Sequence, residues 1–163
     1  MDRLWSPWRY RYITESAADA GEPPACVFCA KFSSGNDEAA LIVHRAEHNA
    51  VLLNLYPYTS GHLMVIPYAH VSTLDECPAN VLAELILLAQ KAERRLREEY
   101  RCEGLNIGFN IGACAGAGVA GHLHLHLVPR WPGDANFMTT VGETRVLPEE
   151  LSVTYRRLAT GWE

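Results

Sequence analysis

Three histidines recur at every second position of the stretch GHLHLHLVPRW, residues 121–131: His122, His124 and His126. The whole chain has only seven histidines. Because successive side chains of a β-strand point to opposite faces, this spacing predicts three imidazoles on one face and three leucines on the other, Leu123, Leu125 and Leu127. An imidazole can act as a nucleophile, a general acid or base, a metal ligand or a hydrogen-bond donor to phosphate. The pattern therefore predicts a reactive face that a buried leucine face holds in place.

The loop before the histidines favours phosphate chemistry. Residues 112–121 read GACAGAGVAG, so backbone N–H groups are accessible without bulky side chains and can bind an anion. A histidine beside such a loop can attack a phosphorus atom and form a covalent nucleotidyl intermediate. The loop carries no hydroxyl or amide side chain at residues 117–119, so backbone donors have to hold the phosphates. The acceptor, water or inorganic phosphate, stays open at this stage.

The chain has five cysteines, and only Cys26 and Cys29 form a C-x-x-C pair. An odd number suits a reducing compartment and a metal or redox role better than a disulfide framework. One alternative is a zinc-finger spacing that adds His44 and His48, which requires a helix across both histidines. The stretch around them, LIVHRAEHNAVLLN, is instead typical of strand, turn and strand. A thioredoxin-like redox site lacks the expected βαβ context.

Length and composition set the class of protein. The 163 residues are 48% hydrophobic with a net charge of −5, which predicts one domain over residues 1–163. The acidic balance argues against nucleic acid or an anionic membrane as a partner. No stretch approaches the roughly 18 apolar residues of a membrane span, and the N-terminus does not resemble a signal peptide. We therefore expect a cytoplasmic protein with an aromatic arm and loop at residues 1–25.

The hydrophobic pattern predicts an α+β fold. Strands are expected at Ala50–Asn54 and His62–Pro67, joined as a hairpin, and at Leu105–Ile111 and His122–Val128 on either side of the glycine-rich loop. Residues 33–38 are typical of a turn. Residues 78–100 carry apolar side chains at spacings of three and four, which predicts one long helix, and PEELSVTYRRLA predicts a C-terminal helix. We expect an antiparallel sheet of about five strands.

The motif HLHLHLV resembles the signature of the histidine triad (HIT) family. The stretch VLLNLYPYTSGHLMVIPYAHV, residues 51–71, is similar to the first hairpin of that family, and GFNIG and VPRW also fit. The resemblance covers roughly residues 26–131. The flanking LWSPWRYRYI and PRWPGDANFM resemble the branch that includes diadenosine tetraphosphate phosphorylases. The resemblance to the family implies a HIT-like fold and a homodimer.

The resemblance also implies roles for individual residues. His124 would attack the α-phosphorus, His126 would contact the phosphate and assist proton transfer, and His122 would line the same face. Nucleotide contacts would come from Asn54, Asn110, Gly116, Gly118 and Trp131. A structural zinc would be held by Cys26, Cys29, His70 and His122, with no organic cofactor. Independently of the resemblance, His62 precedes the apolar run LMVIP, and we expect it to have a structural role through hydrogen bonds within the hairpin.

Together these features predict an enzyme that cleaves the α-phosphate linkage of a dinucleoside polyphosphate such as diadenosine tri- or tetraphosphate. The ligand is a purine nucleotide or dinucleoside polyphosphate, and the reaction passes through a nucleotidyl-histidine. Two alternatives remain: a nucleoside phosphoramidase that cleaves a P–N bond, and a nucleotide-binding protein with vestigial catalysis.

Overall fold

The computed structural model describes residues 26–135, 137–142 and 149–162, and the fold is built on one sheet of five strands. The strands follow the order β1-β2-β3-β5-β4, and each neighbouring pair is antiparallel. Their bounds are Ile42–Arg45 (β1), Asn49–Leu53 (β2), Leu63–Pro67 (β3), Gly104–Phe109 (β4) and Leu125–Arg130 (β5). The predicted antiparallel sheet of five strands is confirmed.

Five helices accompany the sheet within the described residues: Val27–Ser33 (α1), Asp37–Ala40 (α2), Ala79–Tyr100 (α3), Phe137–Thr140 (α4) and Leu151–Leu158 (α5). The long helix and the C-terminal helix are confirmed as α3 and α5. The turn predicted at residues 33–38 is shorter than expected, because Ser33 still belongs to α1 and α2 begins at Asp37. The Asn36 side chain caps α2 by accepting the Ala39 N–H, which favours a helix start there.

The predicted arm at residues 1–25 lies outside the described residues, so a single domain over residues 1–163 stays a prediction. Within the described part, no helix is both long enough and apolar enough to cross a membrane.

The leucines between the histidines anchor β5 under α3, as predicted. Leu125 and Leu127 are buried in one cluster with Leu85 and Leu88 of α3. Leu123 packs in a neighbouring cluster near the start of the same helix. Burial of each such side chain contributes about 1.5–3 kcal/mol. Packing of the leucines on the α3 side therefore fixes the position of the histidines on the opposite face of the strand.

The opposite face of the sheet is covered by α1 and α2. Phe28 and Ala40 from these helices pack with strand side chains of β1, β2 and β3, namely Ile42, Ala50, Leu52, Met64 and Ile66. In β3 the side chains that share this face are Met64 and Ile66, and Met64 lies opposite His126 across the β3–β5 pair. The histidines thus belong to the α1 side of the sheet.

The strand that carries the histidines starts later than predicted. It begins at Leu125 rather than His122, so His122 and His124 lie in the extended segment that leads into β5. The β3–β5 register continues to a position where Leu123 would face Pro67, which has no N–H to donate to a ladder. The Leu123 N–H bonds instead to the Val71 carbonyl at 2.7 Å, which keeps the segment extended.

Glu84 of α3 fixes the helix to the turn between β1 and β2. Its carboxylate accepts the backbone N–H groups of Glu47 (3.1 Å) and His48 (2.9 Å) and the Asn49 side-chain amide (2.7 Å). Burial raises the pKa of the Glu84 carboxyl, but these three hydrogen bonds outweigh burial and the pKa is lowered. The charged carboxylate therefore stabilises the folded state.

We expect Glu84→Gln to lower the free energy of unfolding by about 1–3 kcal/mol near neutral pH, because the hydrogen bonds lose their charged acceptor. A carboxyl with a lowered folded pKa contributes stability above its unfolded pKa and loses it as pH falls through the folded value. The difference in the free energy of unfolding between wild type and Glu84→Gln should therefore decrease at about pH 4 and below. Urea unfolding at both pH values measures it. Glu103→Gln, at an exposed position, is the control, and a gap independent of pH would contradict the account.

Candidate active site and metal centre

Four predicted metal ligands come together from distant parts of the chain. The ligand atoms of Cys26, Cys29, His70 and His122 all lie within 4.8 Å of one another. The Sγ of Cys26 lies 3.2 Å from His122 Nδ1, and the Sγ of Cys29 lies 3.4 Å from His70 Nδ1. The cysteines belong to the start of α1, His70 follows β3 and His122 precedes β5. The four side chains can hold a metal ion between these elements.

The spacing and chemistry of this cluster fit zinc. Zn–S bonds of about 2.3 Å and Zn–N bonds of about 2.0 Å give tetrahedral edges of about 3.3–3.8 Å between ligand atoms. Three of the cysteine–histidine separations are 3.2, 3.4 and 3.7 Å, and all the ligand atoms lie within 4.8 Å of one another. His122 Nε2–H donates to the Pro67 carbonyl at 2.8 Å, which leaves the Nδ1 lone pair for a metal. Two thiolates and two imidazoles are a donor set that zinc prefers.

The alternative metal set with His44 and His48 is wrong. His44 lies in β1 rather than on a helix. Its ring stacks on Trp162, with centroids 5.1 Å apart and planes at 11°. Trp162 belongs to the core cluster beneath α3, which is on the other side of the sheet from the cysteines.

His124 is held as a neutral imidazole with its reactive nitrogen defined. Its Nδ1–H donates to the His122 carbonyl at 2.7 Å, so the lone pair resides on Nε2. The side chain is only 5% exposed. Burial lowers the pKa of His124, and the hydrogen bond to the carbonyl opposes that shift in part. A neutral imidazole with an unprotonated Nε2 can act as a nucleophile.

His126 is oriented by a fourth histidine. His62 Nε2 lies 3.0 Å from His126 Nδ1, and His62 Nδ1 accepts the Tyr58 backbone N–H at 3.1 Å. Since the Tyr58 N–H requires a lone pair on His62 Nδ1, neutral His62 carries its proton on Nε2 and donates it to His126 Nδ1. His126 in turn carries its own proton on Nε2. The arrangement makes His126 Nε2 a donor and His124 Nε2 an acceptor.

Sequence reasoning gave His62 only a structural role in the hairpin. Its hydrogen bonds join it both to the hairpin, at Tyr58, and to the triad, at His126. Strand alternation offered a signal, because His62 precedes β3 with the same parity as Met64, the residue opposite His126.

The predicted nucleotide contacts fall in different places. Asn54 lies beside the histidine network, since its Nδ2 is 3.5 Å from His62 Nδ1 and its Oδ1 accepts the Tyr56 N–H at 3.0 Å. Asn110 directly follows β4, at the start of the glycine-rich loop. Gly116 ends a short 3-10 turn in that loop with φ 88°, a left-handed conformation that favours glycine, and Gly118 follows it. Among these positions, only Asn54 is seen in contact with the histidine network in the described structure.

Trp131 is placed apart from the triad. It follows β5, five residues beyond His126, which corresponds to about 16 Å along an extended strand. Its indole N–H donates to the Tyr100 carbonyl at 3.2 Å, and its ring packs against the core on the α3 side. Within one chain, the structure therefore does not bring Trp131 to the histidines.

Comparisons with known proteins agree with this geometry. The HIT domain family matches residues 36–133. A protein of Mycobacterium tuberculosis (strain ATCC 25618 / H37Rv) named AP-4-A phosphorylase is 43% identical over 166 residues, covering 99% of this chain and 85% of that protein. The crystal structure of a Zn-bound histidine triad family protein from Mycobacterium smegmatis matches with a TM-score of 0.67 and 29% identity, over 83% of this chain and 91% of that one. A hypothetical histidine triad nucleotide-binding protein from Sulfolobus tokodaii also gives a TM-score of 0.67, with 28% identity over 82% of this chain and 89% of that one. The chain therefore belongs to the HIT domain family.

Proposed function

We propose that this enzyme cleaves the α-phosphate linkage of dinucleoside polyphosphates such as diadenosine tetraphosphate, through a nucleotidyl intermediate on His124. The observation that carries the proposal is the pair of imidazoles with opposite roles: His124 with an Nε2 lone pair and His126 with an Nε2 proton. An enzymatic role follows from the family and from 43% identity, over nearly the whole chain, with a protein named AP-4-A phosphorylase. The same name supports the substrate class.

In the first step, His124 Nε2 attacks the α-phosphorus and forms a P–N bond. The bond from phosphorus to the bridging oxygen breaks, and that oxygen leaves with the electron pair. The His126 Nε2–H donates a hydrogen bond to that oxygen and stabilises the negative charge that develops there, so the polyphosphate leaves as an anion. With diadenosine tetraphosphate the leaving group is ATP, and AMP is bound to His124.

In the second step, an acceptor oxygen attacks phosphorus, the P–N bond breaks and its electron pair returns to His124 Nε2. The attacking oxygen of a phosphate acceptor carries no proton, so His126 keeps its own proton and its Nε2–H again donates a hydrogen bond to the reacting phosphate oxygens. We propose inorganic phosphate as the acceptor, which makes the product ADP. The name of the relative, AP-4-A phosphorylase, supports this choice, and the loop with Gly116 and Gly118 has no bulky side chains that would block a phosphate. Its backbone N–H groups can bind phosphate oxygens.

We propose that zinc occupies the cluster of Cys26, Cys29, His70 and His122, supported by the tetrahedral fit and by the Zn-bound relative. A closed four-ligand site is structural: the ion would tie the start of α1 to the segment before β5. Through His122 it would support the carbonyl that orients His124. The chemical steps use only the side chains of the chain itself.

We also propose a cytoplasmic homodimer. The five cysteines are free thiols, which suits a reducing compartment. Strand β4 is an edge strand, and its Ile107 is 48% exposed on the face that α3 covers. Ile86 and Leu87 of α3 are exposed as well. A second copy that covered the edge of β4 would bury Ile107 and pair the open strand.

The first prediction concerns the nucleophile. His124→Asn should lower turnover of diadenosine tetraphosphate by about 10⁴-fold or more, because no P–N bond can form. Nucleotide should still bind, as measured by calorimetry, and acid-quenched mass spectrometry should detect an adenylyl adduct on wild type only. His48→Asn, at a histidine bonded to Asn80 outside the site, is the control. Wild-type turnover by His124→Asn would refute the mechanism.

The second prediction concerns the acceptor. Wild-type enzyme with diadenosine tetraphosphate and inorganic phosphate should yield ADP and ATP, and omission of phosphate should stop ADP formation. Chromatography of the products measures both. AMP and ATP formed equally fast without phosphate would mean hydrolysis. Faster turnover of an adenosine phosphoramidate than of diadenosine tetraphosphate would favour the phosphoramidase alternative.

The third prediction concerns the metal. Wild-type protein should contain about one zinc ion per chain, and Cys29→Ser should lose most of it, since a thiolate ligand is removed. The melting temperature should fall together with the zinc content. Cys114→Ser is the matched control because Cys114 is an exposed free thiol in the loop. Elemental analysis and thermal unfolding measure both; full zinc content in Cys29→Ser would exclude this ligand set.

A further inference from the structure

Phe28 connects the cysteine pair to the nucleophile. It is the one side chain that α1 buries, and it lies between Cys26 and Cys29 in the sequence. Its ring centroid is 5.3 Å from that of His124, with planes at 54°, and 5.5 Å from that of His122, in an edge-to-face arrangement at 83°. One ring thus contacts both the nucleophile and the residue whose carbonyl orients it.

We propose that Phe28 is a positioning residue that holds the His124 imidazole in its attacking orientation; this inference rests on the proposed function of His124. The torsion that rotates an imidazole ring has broad, shallow minima, so a single hydrogen bond at Nδ1 leaves the ring free to rock. The Phe28 ring closes one side of the imidazole and removes that freedom.

The position of Phe28 is fixed by packing and by the start of α1. It belongs to the hydrophobic cluster on the α1 side of the sheet, together with Ile42, Leu52 and Met64. On the other side, Cys26 caps α1 and accepts the Ala30 N–H through its carbonyl at 3.0 Å. The ligand cluster joins both cysteines to His122. The packing of the cluster and the position of Cys26 at the start of α1 therefore restrict movement of the Phe28 ring.

The burial of Phe28 argues against a role in stacking on a nucleobase. The residue is 5% exposed, so its ring offers almost no surface to a ligand. Its aromatic neighbours are His122 and His124. A positioning role predicts an effect on the chemical step, whereas a binding role predicts an effect on affinity.

The test compares Phe28→Leu with Phe32→Leu. Phe32 lies one turn later on α1 and packs edge-to-face on Tyr68, with centroids 5.0 Å apart, and at 6.1 Å from His122. It shares the helix and the metal-site neighbourhood with Phe28, and its described ring contacts do not include His124. Both variants keep an apolar side chain in place, so they are matched in volume loss and hydrophobicity.

We expect Phe28→Leu to slow single-turnover formation of the His124 adduct by about 10- to 100-fold, with KM changed less than about twofold and zinc content kept. The ¹⁵N-detected Nδ1–H resonance of His124, assigned by its loss in His124→Asn, should shift or broaden. Phe28→Tyr, which keeps the ring, should restore most of the rate and the resonance. Phe32→Leu should match wild type in all of these measurements.

A raised KM with an unchanged adduct rate in Phe28→Leu would overturn the proposal in favour of a nucleobase contact. Equal losses of rate and zinc in both variants would overturn it in favour of a purely structural role of α1. If wild type forms no adduct, the proposed function fails by itself. The resonance of His124 then still tests the positioning role, since an unchanged Nδ1–H signal in Phe28→Leu contradicts it.

Discussion

The hydrogen bond from His124 Nδ1–H to the His122 carbonyl is the contact on which the rest of the site depends. It decides which nitrogen of His124 carries the lone pair, and it is only as fixed as the carbonyl that accepts it. The structure holds His122 at both ring nitrogens: Nε2–H donates to the Pro67 carbonyl, and Nδ1 faces the cysteine pair. The side chains of Cys26, Cys29, His70 and His122 thereby influence the tautomer of His124 through the backbone of His122.

The alternation of histidine and leucine divides the work between the two faces of the sheet. On the α3 side, leucines of β5 pack under a helix that Glu84 fixes to the turn between β1 and β2. On the α1 side, the imidazoles meet Phe28 and the cysteines. A one-residue slip of β5 would exchange these faces completely, so the packing of the leucines also sets the register of the histidines.

Much of this could be predicted from sequence because it is local. Strand alternation in HLHLHL and the three-and-four spacing of α3 are properties of short stretches, and the structure has both. The convergence of Cys26, Cys29, His70 and His122 spans nearly a hundred residues and came from resemblance to a family rather than from periodicity. The helices α1 and α2, the late start of β5 and the partnership of His62 with His126 depend on tertiary contacts.

Pro67, which ends the ladder and supplies a carbonyl to His122, shows how one residue of β3 decides structure in another strand. For Trp131 the resemblance implied a contact with the nucleotide, whereas the structure of a single chain places its indole against the end of α3.

His124 and His126 are two residues apart on one face, yet backbone groups give them opposite protonation. The His122 carbonyl requires a proton on His124 Nδ1 and so leaves His124 Nε2 as an acceptor. The Tyr58 N–H requires a lone pair on His62 Nδ1, so the His62 Nε2–H donates a hydrogen bond to His126 Nδ1, which leaves His126 Nε2 as a donor. A donor and an acceptor are thus set without any carboxylate in the network of described contacts. The fourth histidine fixes the tautomer of His126, because the His62 Nε2–H donates to His126 Nδ1. The site therefore needs four histidines, three from the motif and one from the hairpin that pairs with it.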